Sequence, residues 1–233
     1  MAKEIYFIRH GESLDNVAGV TFDQMDVNEE GFLDNPLSDL GVRQAEAVAQ
    51  WLAARVHIDA VYASGLARSN LTAKPISEHY GKPIVELPEL REVLVEGGTL
   101  KNLELENTIS RAIYKIPHGK EIRDRAMDLG VMIAFNTWAN FGLKGFESST
   151  DLKARAGYCL DYLASRPERR IAAVAHNFFL GAMMLELIDR DPLNAVLAAP
   201  HLGFMPNCSV TCVIARPPKF RIRFAARPTN DFS

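Results

Sequence analysis

Cysteine is scarce in this 233-residue chain: only Cys159, Cys208 and Cys212 occur, and none are spaced C-x-x-C. An odd, unpaired set excludes a disulfide framework and a thiolate zinc site, and suits small buried hydrophobes in a reduced compartment. No apolar run approaches the ~20 residues that span a bilayer. The opening Met1-Ala2-Lys3-Glu4 leads straight into a strand and offers no signal-peptide core, so a cytoplasmic protein with no membrane role is expected. Positive charge is not in surplus either. With 26 Lys and Arg against 29 Asp and Glu, the formal net charge is -3, which excludes general nucleic-acid binding by counterion release. There is no internal repeat and no low-complexity segment. Neither an H-E-x-x-H pair nor a carboxylate cluster of the Mg²⁺ type is present, so no metal and no cofactor are expected.

What the chain does have is apolar residues, 48% of the total, enough for one sizeable core. Strand-like runs recur at 5–8, 60–63, 84–86, 171–175, 210–215 and 220–225, with helical patterns between them. That alternation predicts an α/β fold of three layers, a mostly parallel central sheet with helices on both faces. Ser38 or Asp39 can cap a first helix in which Ala45, Val48, Ala49 and Leu52 recur at helical spacing. A later helix starts at Ser149 or Thr150 and puts Leu152, Ala156, Cys159, Leu160 and Leu163 on one face. The last two strands, joined by Pro217-Pro218, read as an antiparallel hairpin at one edge. The whole of 1–233 reads as one domain, in which 95–146 breaks the alternation. This stretch predicts helices over about 103–116 and 120–141, inserted as a cap.

Polar groups collect where strands stop. The first strand ends in Arg9-His10-Gly11-Glu12-Ser13, and that around Val61-Tyr62-Ala63 ends in Ser64-Gly65 with Arg68 just beyond. Leu90-Arg91-Glu92 follows the third, and Ile171–Ala175 ends in His176-Asn177. Open α/β sheets bind ligands beyond the carboxyl ends of their strands. A guanidinium fork matches phosphate oxygens, and imidazole is a nucleophile at neutral pH. One such residue is ordinary; two histidines and two arginines at equivalent ends point to phosphate chemistry.

These segments also carry a resemblance. Arg9-His10-Gly11-Glu12-Ser13 with Asn16 resembles the R-H-G-x-S-x-x-N signature of the histidine phosphatase superfamily, also called phosphoglycerate-mutase-like. Leu37-Ser38 through Gly41 and Gln44-Ala45 is similar to its L-[ST]-x-x-G-x-x-Q-A helix start. Ser64-Gly65-Leu66-Ala67-Arg68 with Thr72-Ala73 resembles S-x-L-x-R-x-x-x-T-A. Leu90-Arg91-Glu92, Glu147-Ser148 with Arg155, Val174-Ala175-His176 and Asn207-Cys208-Ser209 look like the later motifs, in the family's order.

The resemblance implies a phosphomonoester hydrolase with a phosphohistidine intermediate, acting without metal or cofactor on a small phosphorylated metabolite. His10 would be the nucleophile, Arg9, Arg68 and His176 would hold the phosphoryl oxygens, and Asn16 would contact phosphate. Glu92 would protonate the leaving alkoxide and then take a proton from water, so it must arrive protonated. Asn177 stands where the family often has glycine, and is expected to line the substrate pocket. Small-molecule substrate is the only partner implied, and a homodimer stays open.

Two alternatives keep the fold: a phosphoglycerate-type mutase and a non-catalytic phospholigand binder. After Glu92 the chain runs Val93-Leu94-Val95-Glu96-Gly97-Gly98, unlike the mutase E-R-x-Y-G-x-x-x-G run, which favours hydrolysis. A serine hydrolase is excluded because Ser64 lacks the preceding glycine of a G-x-S-x-G elbow. In the cap, Arg111, Lys115, His118, Lys120, Arg123 and Arg125 are candidates to grip a second anionic group. Tyr114, Phe135, Trp138 and Phe141 are expected mainly to pack.

Overall fold

The structure, a computed structural model, describes residues 2–14, 28, 32, 34–94 and 120–229, with backbone only at 120–128 and 131. Six strands form one sheet: β1 (Lys3–Arg9), β2 (Ala60–Ala63), β3 (Ile84–Glu86), β4 (Arg170–Ala175), β5 (Val210–Arg216) and β6 (Lys219–Arg227). Their order is β3-β2-β4-β1-β5-β6. β3, β2, β4 and β1 run parallel, and β5 and β6 add an antiparallel hairpin beside β1. The sheet is therefore mostly parallel, as the alternation predicts. Its central strands carry continuous apolar runs because both faces are covered: Ile5, Phe7, Ile8, Val61, Tyr62, Ile171 and Val174 are all buried.

The principal helices are α1 (Asp39–Ala53), α2 (Ala67–Tyr80), α3 (Lys120–Phe141), α4 (Ser149–Ser165) and α5 (Asn177–Arg190). Val48, Ala49 and Leu52 of α1 and Ala73 and Ile76 of α2 cover one face of the sheet, against Tyr6, Ile8 and Val61. Leu152, Ala156 and Leu160 of α4 and Phe179, Met183 and Leu187 of α5 cover the other, against Ile5, Phe7 and Ile171. That gives the three expected layers. Two cap residues set the starts. Ser38 accepts the Gly41 N–H at 3.1 Å, and Ser148, just before the expected start at Ser149, accepts that of Asp151 at 3.1 Å.

Of the segment read as a cap, 95–119 and its helix over 103–116 lie outside the described residues, as do Arg111, Tyr114, Lys115 and His118; so do the side chains of Lys120, Arg123 and Arg125. The described end of α3 docks on α5. Phe135 and Trp138 are buried, with ring centroids 5.4 and 5.6 Å from Phe178 of α5. Gly181 permits this approach, since a Cβ there would come within 2.5 Å of the Phe135 ring. Phe141 departs from the packing expectation at 86% exposed. The basic residues of β6 sit on an edge strand, where Arg223 pairs with Glu4 at 2.9 Å and Arg221 with Asp191 at 2.6 Å.

Candidate active site

Parallel register brings the strand ends together. Arg9 lies opposite Ala175, and Ala63 opposite Val174, so the next residues on β1, β2 and β4 are His10, Ser64 and His176. The backbone N–H of His10 donates to Ala175 O at 3.0 Å, fastening the two histidine-bearing ends. Their rings lie 5.0 Å apart between centroids, tilted by 51°. Arg68, in the first turn of α2, reaches the same place, and its Nε donates to His10 Nε2 at 3.3 Å. Arg9, His10, Arg68 and His176 are all buried. Four of the five residues expected to be catalytic are thus brought together.

Each ring is aimed by a specific bond. His10 Nδ1 meets Gly11 O at 2.7 Å, and a carbonyl can only accept, so the proton of the neutral ring resides on Nδ1. Nε2 therefore carries the lone pair. His176 Nε2 lies 2.8 Å from Ser64 Oγ, while its Nδ1 is buried without a hydrogen-bond partner. The sequence excludes Ser64 as an elbow nucleophile; the structure makes it the support of the second imidazole.

The glycine and glutamine of the sequence motifs acquire reasons here. A Cβ on Gly11 would come within 2.6 Å of Gly41 O, so the loop after β1 lies directly on the first turn of α1. Gln44 accepts the Glu12 N–H at 2.8 Å, and Thr72 accepts that of Gly11 at 3.0 Å. Asn207 donates to His10 O at 3.0 Å from the other side. The loop after β1 is held on three sides.

Burial, then the nearby cations Arg68 and Arg9, push His10 well below the usual imidazole range; burial, Arg68 and His10 do the same to His176. Both rings are therefore neutral in the folded protein, whereas in the unfolded chain they protonate near pH 6.5. Below that pH the unfolded state binds more protons, so stability is full above it and falls as pH drops. Each ring contributes a slope of about 1.4 kcal/mol per pH unit. Urea unfolding in phosphate-free buffer from pH 7.5 to 5 is expected to show the combined slope below pH ~6.5, and His176→Asn to remove about half of it. An unchanged slope in that variant contradicts neutral burial.

Glu92 sits on the N-terminus of α5, whose first residues follow His176. Its Oε1 accepts the N–H groups of Phe179 at 3.1 Å and Val93 at 3.0 Å, and its Oε2 that of Phe178 at 3.3 Å. The loop carrying it is pinned by Arg155, which donates to Glu89 O at 2.8 Å, Arg91 O at 2.7 Å and Glu92 O at 3.1 Å. Arg155 is itself oriented by a two-point pair with Glu147, at 3.0 and 2.6 Å. The sequence shows Glu147 and Arg155 as a motif without revealing this job.

Asn16 lies outside the described residues. Asn177 is buried, and both ends of its carboxamide are engaged by backbone: Nδ2 donates to Gly203 O at 2.8 Å and Oδ1 accepts the Met205 N–H at 3.0 Å. Met205 O in turn accepts a bond from Arg9 Nη1, and the Phe204 ring lies 5.3 Å from the Arg9 guanidinium carbon. Phe204 and Met205 escape sequence reading, because their irregular loop has no periodicity or motif. Among the described residues, no three His, Cys, Asp or Glu side chains converge in a way that could hold a metal ion. None of their helices is long and apolar enough to cross a membrane.

Two guanidiniums and two neutral imidazoles brought together supply the kinds of donor that a tetrahedral oxyanion takes. Comparison with known proteins agrees in kind. The family model of the histidine phosphatase superfamily (branch 1) matches residues 5–226. A probable phosphoglycerate mutase, GpmB, of Yersinia pestis is 29% identical over 189 residues, covering 79% of this chain and 74% of its own. A mycobacterial glucosyl-3-phosphoglycerate phosphatase solved with VO3 superimposes with a TM-score of 0.66 at 24% identity, over 97% of this chain and 99% of that one. A phosphoserine phosphatase from Entamoeba histolytica, solved with 3-phosphoglyceric acid, gives a TM-score of 0.60 at 21% identity, covering 94% of each chain.

Proposed function

The chain belongs to the histidine phosphatase superfamily, and from that membership we propose that it is a phosphomonoester hydrolase working through a phosphohistidine on His10, without a metal ion. The observation that carries the reading is the bond from His10 Nδ1 to Gly11 O at 2.7 Å, which leaves Nε2 as the nucleophilic nitrogen. In the resting site that lone pair receives the Arg68 Nε–H. An arriving phosphoryl group draws the guanidinium onto its oxygens and releases the nitrogen for in-line attack. Arg9, Arg68 and His176 then neutralise charge as it spreads over the equatorial oxygens.

His10 Nε2 forms the new bond to phosphorus as the ester oxygen leaves, and Glu92, protonated, gives that oxygen its proton. Oε2 suits this task, since it accepts one N–H where Oε1 accepts two. Water next attacks the phosphohistidine, Glu92 takes a proton back, and phosphate departs from a neutral imidazole. The substrate is a small phosphorylated metabolite. Phosphatases of similar fold that act on glucosyl-3-phosphoglycerate and phosphoserine make three-carbon phosphoacids the first esters to try.

The mutase reading has one specific support, the GpmB relative. Incubation with p-nitrophenyl phosphate and with each phosphoglycerate isomer, in excess EDTA, separates the cases. Hydrolysis predicts inorganic phosphate release that the chelator leaves unchanged. Interconversion of the isomers without phosphate release, or activity that returns only with added Mg²⁺, contradicts it.

A further inference from the structure

We infer that Asn177 is a positioning residue that sets the pose of Arg9 through the Gly203–Met205 loop, without touching substrate. The inference rests on the phosphatase reading above. Asn177 stands immediately after His176, at the N-terminus of α5, where a side chain could in principle enter the phosphate pocket. Its carboxamide turns onto a neighbouring loop instead. Its amide donates to Gly203 O at 2.8 Å and its carbonyl accepts from Met205 N at 3.0 Å, so the carboxamide bridges the loop much as a neighbouring strand would.

The bridged loop is what Arg9 leans on. Met205 O takes an N–H of the Arg9 guanidinium, and the ring of Phe204, between the two bridged residues, lies at cation–π distance, 5.3 Å. The loop is also confined from outside. Gly203 has φ +94°, and a Cβ there would come within 3.3 Å of both Met132 Cα and Phe135 Cβ of α3. Without the Asn177 bridge, a loop of this shape has no regular structure to hold it, and its two buried backbone groups lose their partner. Arg9 would keep its charge and lose its aim. A phosphate clamp depends on direction, because a guanidinium binds oxyanions through paired, coplanar N–H groups.

A binding cycle tests this. Wild type, Asn177→Ala, Arg9→Ala and the double variant are titrated with inorganic phosphate by calorimetry, after their circular dichroism confirms folding. Asn177→Ala is expected to weaken phosphate binding by about 10- to 100-fold, the range of a misplaced contact group. In the Arg9→Ala background the same substitution is expected to cost no more than about twofold, because its target is gone. Phe204→Leu leaves the bridge intact, and is expected to give a smaller loss that likewise vanishes without Arg9; it serves if Asn177→Ala does not fold. Unchanged affinity in Asn177→Ala (or Phe204→Leu, where that stands in), or losses that multiply in the double variant, overturns the inference while phosphatase activity survives. A wild type that neither hydrolyses p-nitrophenyl phosphate nor binds phosphate overturns the phosphatase reading and this inference together.

Discussion

His10→Ala is expected to lower kcat on a phosphomonoester by about 10⁴-fold or more, the scale on which loss of a nucleophile reduces covalent catalysis. The substitution leaves Arg9, Arg68 and His176 in place, so an oxyanion pocket remains and product phosphate should still bind. Loss of turnover with retained phosphate binding is therefore the expected signature. Binding and turnover failing together would point to collapse of the pocket, against which the bond from Asn207 to the His10 carbonyl works, since it does not involve the side chain. Single-turnover rates and phosphate titration measure the two effects separately. A variant with a tenth of the wild-type rate would place the nucleophile elsewhere.

Arg68→Ala is expected to reduce kcat/KM by about 10²- to 10³-fold, the usual cost of removing one preorganised charge donor. Arg68→Lys should recover little, because an ammonium cannot present the fork that spans two oxygens. A second consequence has a definite sign. Arg68 is a leading cation holding down the protonation of His10, second only to burial. Without it, the imidazole takes up a proton more readily, so the acid limb of kcat/KM moves to higher pH. The profile is measured in the Glu92→Gln background as well, where the proposed proton donor is absent. An acid limb that stays put, or moves lower, contradicts the contact seen at 3.3 Å.

The sheet was legible because its strands are short apolar runs that end abruptly in polar residues. Reading those ends as one rim followed from the expectation of parallel strands, and the pairing of β1, β2 and β4 puts His10, Ser64 and His176 side by side. Arg68 was legible for a related reason, since a helix that starts just after a strand end returns its first turn to the rim. Supporting contacts were much less visible. Asn177 was read as pocket lining because it stands where the family often has glycine, but its partners Gly203 and Met205 come from a loop 26 and 28 residues away. Arg155 likewise acts on Glu89, Arg91 and Glu92 across more than sixty positions. Such bonds depend on tertiary approach, which periodicity does not encode. Ser64 was weighed only against a nucleophile elbow, while its partner His176 arrives from β4.

Trapping the phosphorylated enzyme shows whether phosphorus is transferred to His10. The protein is mixed with a slowly released ester, quenched in base within one turnover, digested and sequenced by mass spectrometry. The account predicts a phosphoryl group on the peptide bearing His10, stable to base and lost in acid, and absent from His10→Ala. A base-labile phosphate on Ser64 or another hydroxyl, or a phosphohistidine on His176, would contradict it.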